Sequence, residues 1–187
     1  MAEAFVIRKL VIDTSALLPL RVYQYSQHAQ LPTARQSQLL LDARSKRPPF
    51  TIREYERWAA LFESAGIRLT TSHVVAEMYN VLSVRLRLKG EDRQSFWHFC
   101  TWFLTAHALI EESFKLDQLY TSPELHEINV RAGPTDAGLI LLARENECIL
   151  GQRDAMLVTD DERTLHVEAL RLGIHCELLP NLLWAEL

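Results

Sequence analysis

The stretch Val11-Ile12-Asp13-Thr14-Ser15-Ala16-Leu17 changes character at one residue. Before Asp13, the run Leu10-Val11-Ile12 is apolar and β-branched, as a buried strand requires; after it, Thr14 and Ser15 carry the short hydroxyls that start helices. Asp13 is thus expected at the carboxyl end of a first strand, read over Phe5 to Ile12. The same grammar recurs down the chain. Ile67 to Thr71 reads as a second strand, with Ser72 capping a helix that passes Glu77 and runs to Lys89, where Gly90 stops it. Glu91 to Ala106 is an aromatic-rich helix and Leu109 to Ser113 a third strand. Thr121, Ser122, Pro123 and Glu124 open a further helix, which Gly133 and Pro134 break before Asp136 opens the next. Met156 to Thr159 is a fourth strand ending in Asp160 and Asp161; Glu162 to Leu172 is helical, Gly173 stops it, and Ile174 to Leu179 is a last strand. Strands alternating with helices imply an α/β fold of three α/β/α layers around a central parallel sheet.

Between the first two strands lies more chain than one crossover needs. A polar, Gln-rich stretch follows Leu20, then two segments with capping-box spacing, Thr33 to Arg44 (Gln36 three after Thr33) and Thr51 to Ala65 (Glu54 three after Thr51). Pro48 and Pro49 separate these helices, and Gly66 is expected to close the second. From Arg21 to Arg68 there are eight basic and four acidic residues, so the remainder carries the acidic excess behind a net charge of −4. That balance argues against an indiscriminate nucleic-acid coat.

A chain of 187 residues with 48 % hydrophobic and 24 % charged residues is the size and make-up of one folded domain. Six Gly and seven Pro are few, which disfavours a turn-rich β-sandwich. Cys100, Cys148 and Cys176 stand apart in apolar surroundings and read as buried thiols of a cytoplasmic protein. Arg8, Lys9 and Asp13 interrupt the apolar patches of the first twenty residues, leaving no signal-peptide core. The apolar run from Phe96 to Ile110 falls short of the ~20 residues that span a bilayer.

In open α/β sheets, functional groups gather beyond the carboxyl ends of the strands. Asp13, Glu77, Asp136 and the pair Asp160–Asp161 all fall at that edge. Two carboxylates ~4 Å apart repel by about 4 kcal/mol at an effective dielectric near 20, so such a cluster calls for a cation. Several hard oxygen ligands completed by water are what Mg²⁺ or Mn²⁺ prefers. Each acid also has a bland reading: Asp13 as a helix N-cap, Asp136 as a first-turn acid, Glu77 as a solvated helix face. Their convergence on one sheet edge favours the joint one.

The strings Val11-Ile12-Asp13-Thr14-Ser15-Ala16-Leu17, Thr71-Ser72-His73-Val74-Val75-Ala76-Glu77, Asp136-Ala137-Gly138-Leu139-Ile140 and Leu157-Val158-Thr159-Asp160-Asp161 resemble, in this order, the four acidic motifs of the PIN domain family, which includes VapC-type toxins. The resemblance implies a PIN-like three-layer α/β/α fold over residues 1–187, with a helical insertion at about 21–66. It implies a metal-dependent endoribonuclease, the toxin of a toxin-antitoxin pair, with Asp13, Glu77, Asp136 and Asp161 as catalytic, metal-holding acids. Asp160 is the alternative fourth acid, and Ser15 and Thr159 are supporting hydroxyls. Mg²⁺ or Mn²⁺ is the implied cofactor, RNA the substrate, a cognate antitoxin and a second copy of the chain the protein partners, with no membrane. The implied products carry a 5′-phosphate and a 3′-hydroxyl.

RNA needs cations at the rim of an acidic pocket, and Arg21, Arg44, Lys46, Arg47, Arg85 and Arg87 are the candidates. A non-catalytic PIN-like scaffold binding RNA or protein is the main alternative. A haloacid-dehalogenase-like phosphatase needs a second Asp two residues after Asp13, where Ser15 stands. His73 and Glu77 are four apart on one helix face, but no second His completes a zinc motif. Phe96, Trp97, Phe99, Trp102 and Phe103 recur at helical spacing and read as core or a dimer face.

Overall fold

In a computed structural model the described residues are 7–44, 47–106, 109–112, 116–120, 122–152 and 154–184. Among the described residues five strands alternate with helices: β1 (Lys9–Ile12), α1 (Thr14–His28), α2 (Thr33–Ala43), α3 (Ile52–Ser64), β2 (Ile67–Thr71), α4 (Ser72–Val84), α5 (Gly90–Ala106) and β3 (Leu109–Glu112). A 3-10 turn (Leu116–Tyr120) then leads to α6 (Pro123–Ala132), α7 (Pro134–Glu145), β4 (Ala155–Thr159), α8 (Leu165–Arg171), β5 (Cys176–Leu178) and α9 (Leu179–Trp184). The sheet order is β3-β2-β1-β4-β5, and every neighbouring pair is parallel. With this strand order, the right-handed rule for parallel crossovers puts α1 to α5 on one face and α6 to α8 on the other, the expected three-layer α/β/α arrangement.

The order carries a functional consequence. The chain leaves β1 toward β2 over one face and reaches β4, on the other side of β1, over the opposite face. The loops after β1 and β4 therefore diverge and open a crevice between those strands, the switch point at which α/β sheets bind ligands. Register brings their ends level: Val11 faces Leu157, Ile12 faces Val158, and the Asp13 N–H donates to the Val158 carbonyl at 3.2 Å. Leu10–Ile12 of β1 and Ala155–Val158 of β4 are apolar and buried, as strands covered on both faces must be.

Several boundaries differ from the expectation. The strand start at Phe5 lies outside the described residues, and β1 begins at Lys9. The Gln-rich stretch after Leu20 is not a break: α1 runs through Pro19 to His28 because Val22, Tyr23, Tyr25 and Ser26 are buried against the rest of the fold. The extra helices are thus α2 and α3. Thr51 and Glu54 form the expected capping box, whereas α2 starts after Pro32 without a side-chain cap. Gly66 does not end α3 with a left-handed turn; a Cβ there would stand 3.1 Å from the Arg8 carbonyl oxygen, so the residue permits close approach to β1. Thr71, one residue earlier than expected, caps α4 by accepting the Val74 N–H. That helix ends at Val84, short of Lys89, because Leu86 and Leu88 turn into the core, and Gly90 instead begins α5 at φ 53°. Ser122 caps α6; Thr121 lies outside the described residues, as do Ser113 and Lys46. The last strand is shortened to Cys176–Leu178 because its end winds into α9.

The insertion is locked to α1. Trp58 of α3 is fully buried and donates its indole N–H to the Ala16 carbonyl at 3.0 Å, and Tyr55 stacks on Tyr23 with ring centroids 4.8 Å apart. Phe96 and Phe99 of the aromatic helix are core and pack edge-on against Tyr25, while Trp102 is exposed. The three cysteines are buried free thiols, and burial pushes the Cys100 and Cys148 thiols up to about 12. Among the described residues no helix is long and apolar enough to cross a membrane.

Candidate active site

Asp13 ends β1 and caps α1, and it is 6 % exposed. Its Oδ2 accepts from the Ser15 N–H (3.2 Å), the Ser15 hydroxyl (2.5 Å) and the Thr159 hydroxyl (2.8 Å). All three donors fall on Oδ2; among the described residues none reaches Oδ1. Burial raises the Asp13 pKa more than these bonds lower it, and the charge of Glu77 adds to the rise.

Ser15 and Thr159 act as bridges. Each spends its hydroxyl proton on Asp13 and accepts a backbone N–H in return, Ser15 from Asp160 (2.8 Å) and Thr159 from Asp161 (2.9 Å). The first acid and the two amides after β4 are thereby tied through two hydroxyls to one carboxylate oxygen. Small hydroxyl residues at these positions were legible in the sequence; their common acceptor was not.

Glu77, exposed on α4, accepts the Thr14 hydroxyl at 2.9 Å, a contact that sequence reasoning missed although Thr14 adjoins Asp13. Asp136, in the first turn of α7, has its pKa raised to about 7 by burial first and then by the charges of Asp13, Asp161 and Glu77. Asp161 behaves differently. Burial pushes its pKa up, but the Thr164 hydroxyl and the backbone N–H groups of Thr164, Arg163 and Leu165 outweigh it, leaving the carboxylate below its ordinary range. Asp136 thus feels the charges of three acids from three other chain segments across a shared space.

That space is a cavity of about 240 Å³ lined by Asp13, Thr14, Ser15, Glu77, Asp136, Asp160 and Asp161, with Arg44, Arg47 and Arg85 also on its wall. Asp160 is held apart from the other acids: Arg44 Nε and Nη2 donate to its Oδ2 at 3.2 and 2.8 Å, and Arg47 Nη1 lies 3.2 Å from Oδ1. Both Asp160 oxygens face guanidinium charges, whereas Asp161 Oδ1 accepts the Arg163 and Thr164 N–H groups and Oδ2 the Thr164 hydroxyl, all neutral donors that leave its negative charge uncompensated. Of the other proposed cations, Arg21 does not belong to an RNA surface. It is fully buried in α1, stacks on Phe62 at 4.6 Å and donates to Gln24, with burial lowering its pKa. Arg87 is exposed but is not among the residues lining the cavity.

Among the described residues no group of three or more Asp, Glu, His or Cys side chains stands close enough together to hold a metal ion by itself. The same holds for the zinc alternative at His73 and Glu77. The acids of the cavity are hard oxygen donors, however, with Asp13 Oδ1 open and Asp136 pushed toward neutrality by burial and then by its neighbours, so the chemistry of the donor set fits a divalent ion whose shell is completed largely by water.

Fold and cavity together define a parallel three-layer α/β/α protein with an acidic cleft at its switch point. No family model matches the chain, and no curated protein or solved structure matches it.

Proposed function

We propose that the protein is a metal-dependent endoribonuclease, with Mg²⁺ or Mn²⁺ as its ion. The observation that carries this reading is the sharing of one cavity by Asp13, Glu77, Asp136 and Asp161, contributed by four chain segments. Asp136, whose pKa is raised by burial and then by the charges of Asp13, Asp161 and Glu77, costs folding stability near neutral pH, and such a group is retained where it serves chemistry. Asp13, Asp136 and Asp161 would hold the ion. When bound, the ion activates water and offsets charge on the phosphoryl oxygens. Glu77, tethered by Thr14, would be a further ligand or orient the attacking water. Ser15 and Thr159 hold Asp13 in its rotamer, which keeps one edge of the carboxylate directed by the protein and the other for the ligand. Water oxygen attacks phosphorus, the P–O3′ bond breaks, and the 3′ oxygen takes up a proton.

Labelled single-stranded RNA incubated with the protein and Mn²⁺ should be cut, with EDTA, Asp13→Asn or Asp136→Asn each abolishing cleavage. RNA left intact under every ion condition would favour the non-catalytic scaffold instead. The toxin role extends this reading: expression in bacteria should arrest growth with the wild type and not with Asp136→Asn.

A further inference from the structure

The insertion contributes more to the cavity than packing. Arg44 closes α2, its side chain only 8 % exposed and that of Asp160 only 5 %. Its Nε and Nη2 are both on Asp160, its Nη1 donates to the Pro48 carbonyl, and its guanidinium lies 3.7 Å from the centroid of the Phe50 ring. With all three nitrogens engaged, Arg44 is an anchor. Arg47 is different. Its Nη1 reaches both the Oδ1 (3.2 Å) and the carbonyl oxygen (2.6 Å) of Asp160, but the side chain is 44 % exposed and lines the cavity. Among the described residues no hydrogen bond uses its Nε or Nη2, the edge of a guanidinium that pairs with two oxygens of a phosphate.

We propose that Arg44 and Arg47 form a phosphate-binding wall of the cleft, with Asp160 as a positioning residue and Arg47 meeting a backbone phosphate of single-stranded RNA. The proposal rests on the ribonuclease reading and deepens it. A buried Arg–Asp pair gains little net stability over apolar side chains of similar size, so its place in the cavity wall points to positioning. The electrostatics demand such a wall: five carboxylates line the cavity against three guanidiniums, and a polyanion approaches only where cations face it. Fixing Arg47 through Asp160 removes the ordering cost that a free surface arginine would meet on binding.

The test is binding of a fluorescein-labelled single-stranded RNA in EDTA, followed by anisotropy across a salt series. Arg47→Ala should weaken binding about five- to tenfold and flatten the plot of log K against log salt by about 0.7, one phosphate contact. Arg47→Lys should keep the slope while losing part of the affinity, and Arg35→Ala, on exposed α2 surface, serves as the charge control. Asp160→Asn separates positioning from bulk charge: removal of an acid alone tightens RNA binding, whereas loss of the clamp weakens it as Arg47→Ala does. Affinity and slope in Arg47→Ala no different from Arg35→Ala, or tighter binding by Asp160→Asn, would overturn the proposal; should Asp160→Asn fail to fold, the Arg47 comparison decides. Arg47-dependent binding without Mn²⁺-dependent cleavage would sink the nuclease reading and leave the wall standing. Cleavage with an unchanged KM in Arg47→Ala would sink the wall alone.

Discussion

The Thr159 hydroxyl donates to Asp13 Oδ2 at 2.8 Å, joining residues 146 positions apart in the chain. The same oxygen of Thr159 accepts the Asp161 N–H, so one side chain fixes both the first acid and the backbone that presents the last. Thr159→Val keeps the volume and the β-branch but leaves a buried carboxylate short of a donor and a backbone N–H without its acceptor. It should cost about 1–3 kcal/mol of stability in urea unfolding at neutral pH, with Thr159→Ser recovering most of it. A Thr159→Val loss no larger than that of Thr159→Ser would show that the bridge carries no weight.

Asp136 gives the metal-free protein a distinctive pH dependence. Its folded pKa of about 7 lies above the ordinary 3.8, so the folded state retains a proton that the unfolded chain has released. Its contribution is thus most favourable below pH 4, erodes by up to about 1.4 kcal/mol per pH unit as pH rises toward 7, and is then constant. Asp136→Asn should raise the EDTA-treated melting temperature at pH 8 and flatten its fall between pH 5 and 8. An unchanged or lower melting temperature at pH 8 would count against mutual repulsion in the cavity. Asp13→Asn is a poorer probe, because its carboxylate also caps α1.

Divalent ion binding should carry the same titration. A ligand must be deprotonated before it holds an ion, so Mn²⁺ affinity should climb between pH 5.5 and 7.5, with close to one proton released per ion at pH 5.5 and about a quarter of one at pH 7.5. Calorimetry in two buffers of different ionisation enthalpy reads that proton. Affinity independent of pH across this window would remove Asp136 from the ligand set.

Arg44→Met removes one of two guanidiniums from a buried carboxylate. It should destabilise by about 2–4 kcal/mol, less than an entirely orphaned charge because Arg47 still faces Asp160. Adding Asp160→Asn to Arg44→Met should return part of that loss; an additive further loss would mean that the two side chains act independently.

The strand ends were legible because each apolar run meets an acid or a hydroxyl abruptly. Ile67–Thr71 emerged with its expected bounds, and Asp13 and Asp160–Asp161 fell beyond the strand ends as anticipated. The helix boundaries were less readable where tertiary burial overrides local signals. Pro19 and the glutamines after it look like a break, yet Tyr23 and Tyr25 carry α1 onward into the core. The choice between Asp160 and Asp161 was beyond the sequence, since it turns on guanidiniums more than 110 residues away. Composition likewise counted Arg21 among the available cations, because burial under Phe62 leaves no mark in a local pattern.

Titration of the metal-free chain with Mn²⁺ at pH 7.5, compared among wild type, Asp13→Asn and Asp136→Asn, bears most directly on the cavity as a divalent-ion site. The wild type should bind at least one ion, with each substitution weakening that binding tenfold or more. An absence of wild-type binding, or affinity that neither substitution alters, would contradict the account.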